Sequence, residues 1–223
     1  RDIVETYNVD SSKIDVVYNG SHNFYKPCNE EDKQKVREKY CKGEKYFIFI
    51  GTISKRKNLA NILLAYNSYR EDNPENKEHF VVVGGSYGAY PEMDNALKAS
   101  AFRDDIHFVG HVDSDILSQL LASAEALVYA SVFEGFGIPI IEAFNAETAV
   151  ITSNVTSMPE VAGDAALLVD PSSVEDIAHA MSMLANDSSL RSQLIARGRE
   201  RRNEFSWNRR SEERRVGKEW RSR

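Results

Sequence analysis

Residues 131–144 read SVFEGFGIPIIEAF, and the apolar run 126–130 (ALVYA) stands directly before them. That run is short, uncharged and of the kind that fills a buried strand. Gly135 and Gly137 then mark a turn. Pro139 opens an apolar segment of helical character, since proline is favoured at the first helical position, where its missing N–H is not needed. A strand, a glycine-bearing turn and a helix N-terminus together make an anion site. The first N–H groups of the helix lack partners, the positive end of its dipole faces the turn, and glycine lets a ligand approach the backbone closely. Two carboxylates bracket the turn with seven residues between them: Glu134 within it, and Glu142 in what reads as the first helical turn. Carboxylates repel an anion but accept hydrogen bonds from hydroxyls. N–H groups facing phosphate and carboxylates facing hydroxyls describe a sugar nucleotide. Taken alone, the two glutamates also fit a plainer reading, as a solvated helix residue and a turn residue complementing the dipole.

A second junction of the same type lies upstream. Residues 46–50 (YFIFI) read as a central strand that ends at Gly51. The loop 52–58 (TISKRKN) carries three adjacent cations, Lys55, Arg56 and Lys57. A helix over 59–69 follows, with Leu59, Ile62, Leu63 and Tyr66 on one face. A basic triplet is commonly a solvated surface. This one sits where strand ends meet helix starts, which is where open α/β sheets bind ligands.

Further strands are expected at 14–18 (IDVVY), 80–85, 106–109, 150–152 and 167–169. Helices are expected at 30–42 (Val36 and Tyr40 inward), at 92–102, at 114–122 behind an Asp113 cap, from Pro159, and at 174–184 and 190–202. Strands alternating with helices predict an α/β fold with a doubly wound, Rossmann-like parallel sheet. The glycines at 84, 85 and 88 do not fit the dinucleotide fingerprint G-x-G-x-x-G. His111, after the strand at 106–109, reads as a surface residue.

The chain has 223 residues, 42% of them hydrophobic, and a formal charge of −6. It can bury a proper core, and nucleic acid is not expected as a partner. Cys28 and Cys41 stand in polar, charged surroundings and match neither a metal-ligand spacing nor a redox pair, so two free thiols are expected. No side-chain cluster suggests a metal, and no cofactor is expected. Neither a signal peptide nor a run of membrane-spanning length is visible.

The string EGFGIPIIEA closely resembles the signature of the retaining glycosyltransferases of group 1, or family 4, which have the GT-B fold. The resemblance runs from about Ile14 to Trp207 and implies the C-terminal, donor-binding half of such an enzyme. It implies that Glu134 lies beside the donor sugar, that the amides of Phe136, Gly137 and Ile138 meet the sugar and diphosphate with Gly135 also in the donor-binding turn, and that Glu142 holds the ribose. The element Gly51–Thr52 with Lys57 resembles the family's diphosphate loop. Many members carry arginine where Thr52 stands, and Arg56 is expected to compensate. Glu134, Lys57 and Arg56 are therefore the expected catalytic residues. The family commonly has Gly and Pro where this chain has Glu147 and Ala149, and Glu147 is expected to face solvent. Phe205 and Trp207 match its closing aromatics.

The implied function is transfer of a hexosyl group, mannosyl among the candidates, from a nucleoside-diphosphate sugar to a hydroxyl. The acceptor would be a glycan or lipid-linked sugar held by an N-terminal domain. The implied location is cytoplasmic, with peripheral contact at the inner face of the membrane. Two alternatives stay open: a nucleotide-sugar-binding module without transferase activity, and an epimerase or phosphorylase on the same fold. Residues 1–10 are expected to be a remnant of the acceptor-binding domain and 11–208 the donor domain. Residues 209–223, with seven Lys or Arg against three Glu, resemble a translated sequencing adapter and are expected to be non-native.

Overall fold

Five consecutive side chains of β1 (Tyr46–Ile50) are buried, so neither face of this strand meets water. Such strands read as continuous apolar runs because helices cover both faces of a parallel sheet. The computed structural model describes residues 2–14, 18–22, 24–85 and 90–205. Among these, β1 is joined by β2 (His79–Val83), β3 (Ile106–Gly110), β4 (Ala126–Tyr129), β5 (Ala149–Ser153) and β6 (Leu167–Val169). All pair in parallel, in the order β3-β2-β1-β4-β5-β6. The α/β, doubly wound expectation is met.

The helices are α1 (Asp2–Tyr7), α2 (Glu30–Cys41), α3 (Leu59–Asp72), α4 (Pro91–Ala99), α5 (Ser114–Ser123), α6 (Ile138–Ala146), α7 (Met158–Ala162), α8 (Val174–Asn186) and α9 (Ser188–Arg201). Strand side chains alternate between two cores. Phe47, Phe49, Phe80, Val82, Val128 and Ile151 pack against α3, α4 and α8. Tyr46, Ile48, Val81, Leu127, Tyr129 and Val150 pack against α2, α5, α6 and α7. The chain winds outward in one direction through β1, β2 and β3, and in the other through β4, β5 and β6. The reversal lies between β1 and β4, and the crevice beyond their carboxyl ends is the ligand position of such sheets. Both glycine-bearing loops singled out in the sequence leave the sheet there.

Several local expectations are corrected. The C-terminal end of α2 comes one residue early, because Lys42 turns left-handed at φ 54°. Helix α4 stops at Ala99 rather than 102, and a short 3-10 turn over Arg103–Asp105 follows it. Asp113 occupies the position before α5, but its side chain accepts no capping hydrogen bond. Pro139 is the second helical residue of α6, not the first, so Glu142 begins the second turn. Cys41 is wholly buried at the edge of a core, while Cys28 is half-buried; both are free thiols. Glu147 does not face solvent. It takes the left-handed position after α6 (φ 57°), where glycine is the usual choice, and its carboxylate accepts from Arg199 at 3.0 and 2.6 Å. The strand expected at 14–18 falls largely, and Gly88, Trp207 and the basic segment 209–223 wholly, outside the described residues. Phe205 is described, and packs its ring against Tyr18 and Phe136.

Candidate active site

At the carboxyl end of β1, Gly51 has φ 149°, and an added Cβ would press on the Lys57 side chain, 3.3 Å away. The chain then closes a 3-10 turn over Lys55–Lys57 and enters α3 through Asn58, left-handed at φ 62°. Asn58 is buried, and its amide donates to the carbonyls of Ala130 (2.9 Å) and Pro171 (2.7 Å). This pins the basic turn to the end of β4. The three cations part company here. Lys55 turns away to Glu92 at 2.5 Å. Arg56 and Lys57 turn to Glu134.

Lys57 is buried. Its Nζ donates to the Tyr129 hydroxyl at 2.6 Å, lies over that ring at 4.5 Å from its centre, and pairs with Glu134 Oε1 at 2.8 Å. The Oε1 contact is an ion pair without good hydrogen-bond alignment. Arg56 meets Glu134 Oε2 at 2.7 Å and donates to the carbonyl of Phe133 at 2.9 Å. Burial alone would raise the Glu134 carboxyl, but the two cations more than offset it and hold the group below the usual carboxylate range. The expected hydroxyl acceptor and the expected phosphate cations therefore form one closed cluster.

The turn after β4 is clamped from below. Ser157 Oγ donates to the carbonyls of Glu134 (2.9 Å) and Phe136 (3.0 Å), and Thr156 Oγ1 accepts from the Glu134 N–H at 3.3 Å. Thr156 sits at φ 55°, an unusual place for a β-branched residue and a sign that this loop is held against its own preference. Gly137, at φ 101°, precedes α6 without a side-chain cap. Among the described residues, the N–H groups of Gly135, Phe136 and Gly137 donate to no protein acceptor. Ile138 opens α6, and its N–H has no partner within the helix. All four residues were singled out in the sequence for donor binding, the last three by their amides. The Phe136 ring points away, into the Tyr18–Phe205 cluster. Thr52 is exposed beside Gly51.

Glu142 is buried one helical turn further in, near Tyr25 and His22. Burial pushes its carboxyl up. A carboxylate that costs stability to ionise is a poor structural choice and a good ligand group. A raised carboxyl pKa means that the unfolded chain releases this proton first, so stability falls as pH climbs from the unfolded value towards the folded one. Glu142→Gln is therefore expected to raise the melting temperature at pH 7 by a few degrees, with the gap closing in acid below the ordinary glutamate pKa. A variant that melts lower at pH 7, or a gap that widens in acid, would refute this.

Tyr129, Asn58, Thr156, Ser157 and Tyr25 complete the site without having been singled out in the sequence. Asn58 alone carried a usable signal, because asparagine directly before a helix tolerates the left-handed region.

The family description "Glycosyl transferases group 1" matches residues 30–201. O-antigen chain mannosyltransferase B of Escherichia coli is 32% identical over 208 residues, which cover 92% of this chain and 54% of that protein. The chain thus spans about half the length of this curated relative. The C-terminal domain of a group 1 family glycosyl transferase from Francisella tularensis superposes with a TM-score of 0.70 at 26% identity, over 81% of this chain and 95% of that domain. Sucrose-phosphate synthase from Thermosynechococcus elongatus shares the fold, with a TM-score of 0.81 at 21% identity over 99% of this chain and 55% of that one. The fold is thus the Rossmann-like half of a GT-B glycosyltransferase, and the chain belongs to the group 1 glycosyltransferases.

Proposed function

We propose that the chain is the donor-binding half of a retaining glycosyltransferase. It takes a nucleoside-diphosphate hexose and passes the hexosyl group to a hydroxyl of a glycan or lipid-linked acceptor in polysaccharide synthesis. The observation that carries this reading is the Lys57–Glu134–Arg56 cluster at the mouth of α6, beside four amides free to face a ligand. The diphosphate lies on Gly51, Thr52 and the two cations, with the α6 N-terminus opposite. The ribose hydroxyls reach Glu142, and Glu134 turns to the sugar. As the bond from the anomeric carbon to the diphosphate breaks, charge builds on the departing oxygens, where Lys57, Arg56 and the helix N-terminus stabilise it. The acceptor oxygen bonds to the anomeric carbon on the same face, and its proton passes to the departing diphosphate. The Escherichia coli relative is named as a mannosyltransferase, which favours mannose as the sugar. The donor is a substrate, and this site calls for no cofactor. The acceptor side falls to a second domain, and the reading places the enzyme in the cytoplasm, in peripheral contact with the inner face of the membrane. Among the described residues, no helix is long and apolar enough to cross a membrane.

The test is calorimetric titration of the chain with guanosine and uridine diphosphates and their hexose conjugates. One nucleoside diphosphate is expected to bind, and Glu142→Ala to weaken it roughly tenfold to a hundredfold, the worth of a hydrogen bond to a charged group. Failure of every nucleotide to bind at millimolar concentration, or an alanine variant that binds as the parent does, would overturn the reading.

A further inference from the structure

We propose a metal site at the other end of the sheet, where Cys41, His79 and His107 converge and hold a tetrahedral Zn²⁺-type ion. Cys41 is the last residue of α2, His79 the first of β2 and His107 the second of β3. The active-site loops leave the opposite, carboxyl ends of the strands, so this cluster is separate from them. His79 Nδ1 lies 2.7 Å from His107 Nε2, and the Cys41 sulfur and the two ring nitrogens all lie within 4.8 Å of one another. One thiolate sulfur and two imidazole nitrogens form a borderline-soft donor set. It suits Zn²⁺ or Co²⁺ and is wrong for Mg²⁺ or Ca²⁺. Around one tetrahedral ion such donor atoms stand roughly 3.3–3.7 Å apart, so the rings open slightly and the sulfur closes in.

The surroundings carry the proposal further than the three donors alone. Asp105 Oδ1 lies 3.5 Å from His79 Nε2, the ring nitrogen facing away from the cluster, while Asp105 Oδ2 accepts from Arg70 at 2.9 Å. A carboxylate behind the non-ligating nitrogen fixes the tautomer, leaving the Nδ1 lone pair turned towards His107 and the sulfur. Metal entry displaces the Cys41 thiol proton to water, and the His107 N–H moves from Nε2 to Nδ1. Cys41 and His79 are buried, while His107 lies half-buried on the edge strand of the sheet. The ion therefore enters from that edge, and a water completes its coordination. Its role is to staple the end of α2 to β2 and β3.

The test uses the chain with Cys28→Ser, so that one thiol remains, stripped with a chelator and titrated with Co²⁺. One equivalent is expected, with a sulfur-to-cobalt charge-transfer band, the intense visible absorption of tetrahedral Co²⁺, and displacement by Zn²⁺. Zn²⁺ at a hundredfold excess over its Kd is expected to raise the melting temperature by roughly 5–10 °C. Cys41→Ser should abolish the charge-transfer band. His107→Gln, at a half-buried edge position that keeps the fold, should weaken binding at least tenfold, and Asp105→Asn roughly tenfold to a hundredfold. The absence of the band at millimolar Co²⁺, or a His107→Gln chain that binds as the parent does, would overturn the site.

Discussion

Gly84→Ala is expected to destabilise the chain by about 3–5 kcal/mol and to lower the melting temperature by roughly 10 °C. Gly84 follows β2 at φ 133°, a region that only glycine occupies without strain. An added Cβ would stand 2.0 Å from the carbonyl oxygen of Gly51 and 2.8 Å from its carbon. Both contacts are with backbone, so no side-chain rotation relieves them. The backbone is also committed elsewhere: Gly51 N–H donates to Val83 O at 3.0 Å, and Gly84 N–H to Gly110 O at 2.8 Å, continuing the ladder past the strand ends. Backbone strain of about 1–3 kcal/mol adds to an overpacking cost of similar size, and a domain of this length loses about 2–4 °C per kcal/mol. The glycine pair also sets the active site, since Gly51 moves with the clash and carries the Lys57 contact with it. A thermal melt of the alanine variant that overlays the parent would show that the backbone gives way easily here.

The parts legible in the sequence were those fixed by local chemistry. YFIFI and FVVV read as central strands because burial on both faces removes every reason for a polar residue. Both glycine-bearing loops were legible as strand-to-helix junctions because a strand, a glycine and a helix start must leave N–H groups unpaired whatever the rest of the chain does. What stayed hidden depends on residues far apart in sequence. Tyr129 looks like one more apolar position in ALVYA, and nothing local says that its hydroxyl meets Lys57. Tyr25 lies in a segment without periodicity, so its place beside Glu142 had no sequence signal. Thr156 is left-handed against its own propensity, and propensity is all a sequence offers at that position. Cys41, His79 and His107 come from a helix end and two strands, so no ligand spacing could announce them. Glu147 read as solvent-facing because its partner, Arg199, sits a whole βαβ unit later.

Lys57→Met and Lys57→Met/Glu134→Gln are expected to separate the structural work of the charge cluster from its chemical work. Both charged side chains are nearly buried, each about one-tenth exposed. Removing the lysine alone strands a buried carboxylate on Arg56, which is half exposed to water, and a broken buried pair costs about 3–5 kcal/mol, less whatever Arg56 retains. The double variant removes both charges from the interior and keeps their volume, so most of that stability is expected to return. Donor binding behaves differently. In the proposed donor site the lysine is the buried cation that meets the diphosphate, so both variants are expected to lose nucleoside diphosphate affinity by tenfold or more while binding the bare nucleoside as the parent does. The pH dependence supplies the sign. Glu134 is held low in the folded chain, so its stabilisation is complete above the ordinary glutamate pKa and is lost as pH falls through the lower, folded value. The parent is therefore expected to lose stability in acid relative to the double variant, whose cluster cannot titrate. Melting curves across that range and paired titrations with nucleoside and nucleoside diphosphate decide the matter. Recovery of diphosphate affinity together with stability in the double variant would mean that Lys57 serves the fold alone and the diphosphate lies elsewhere.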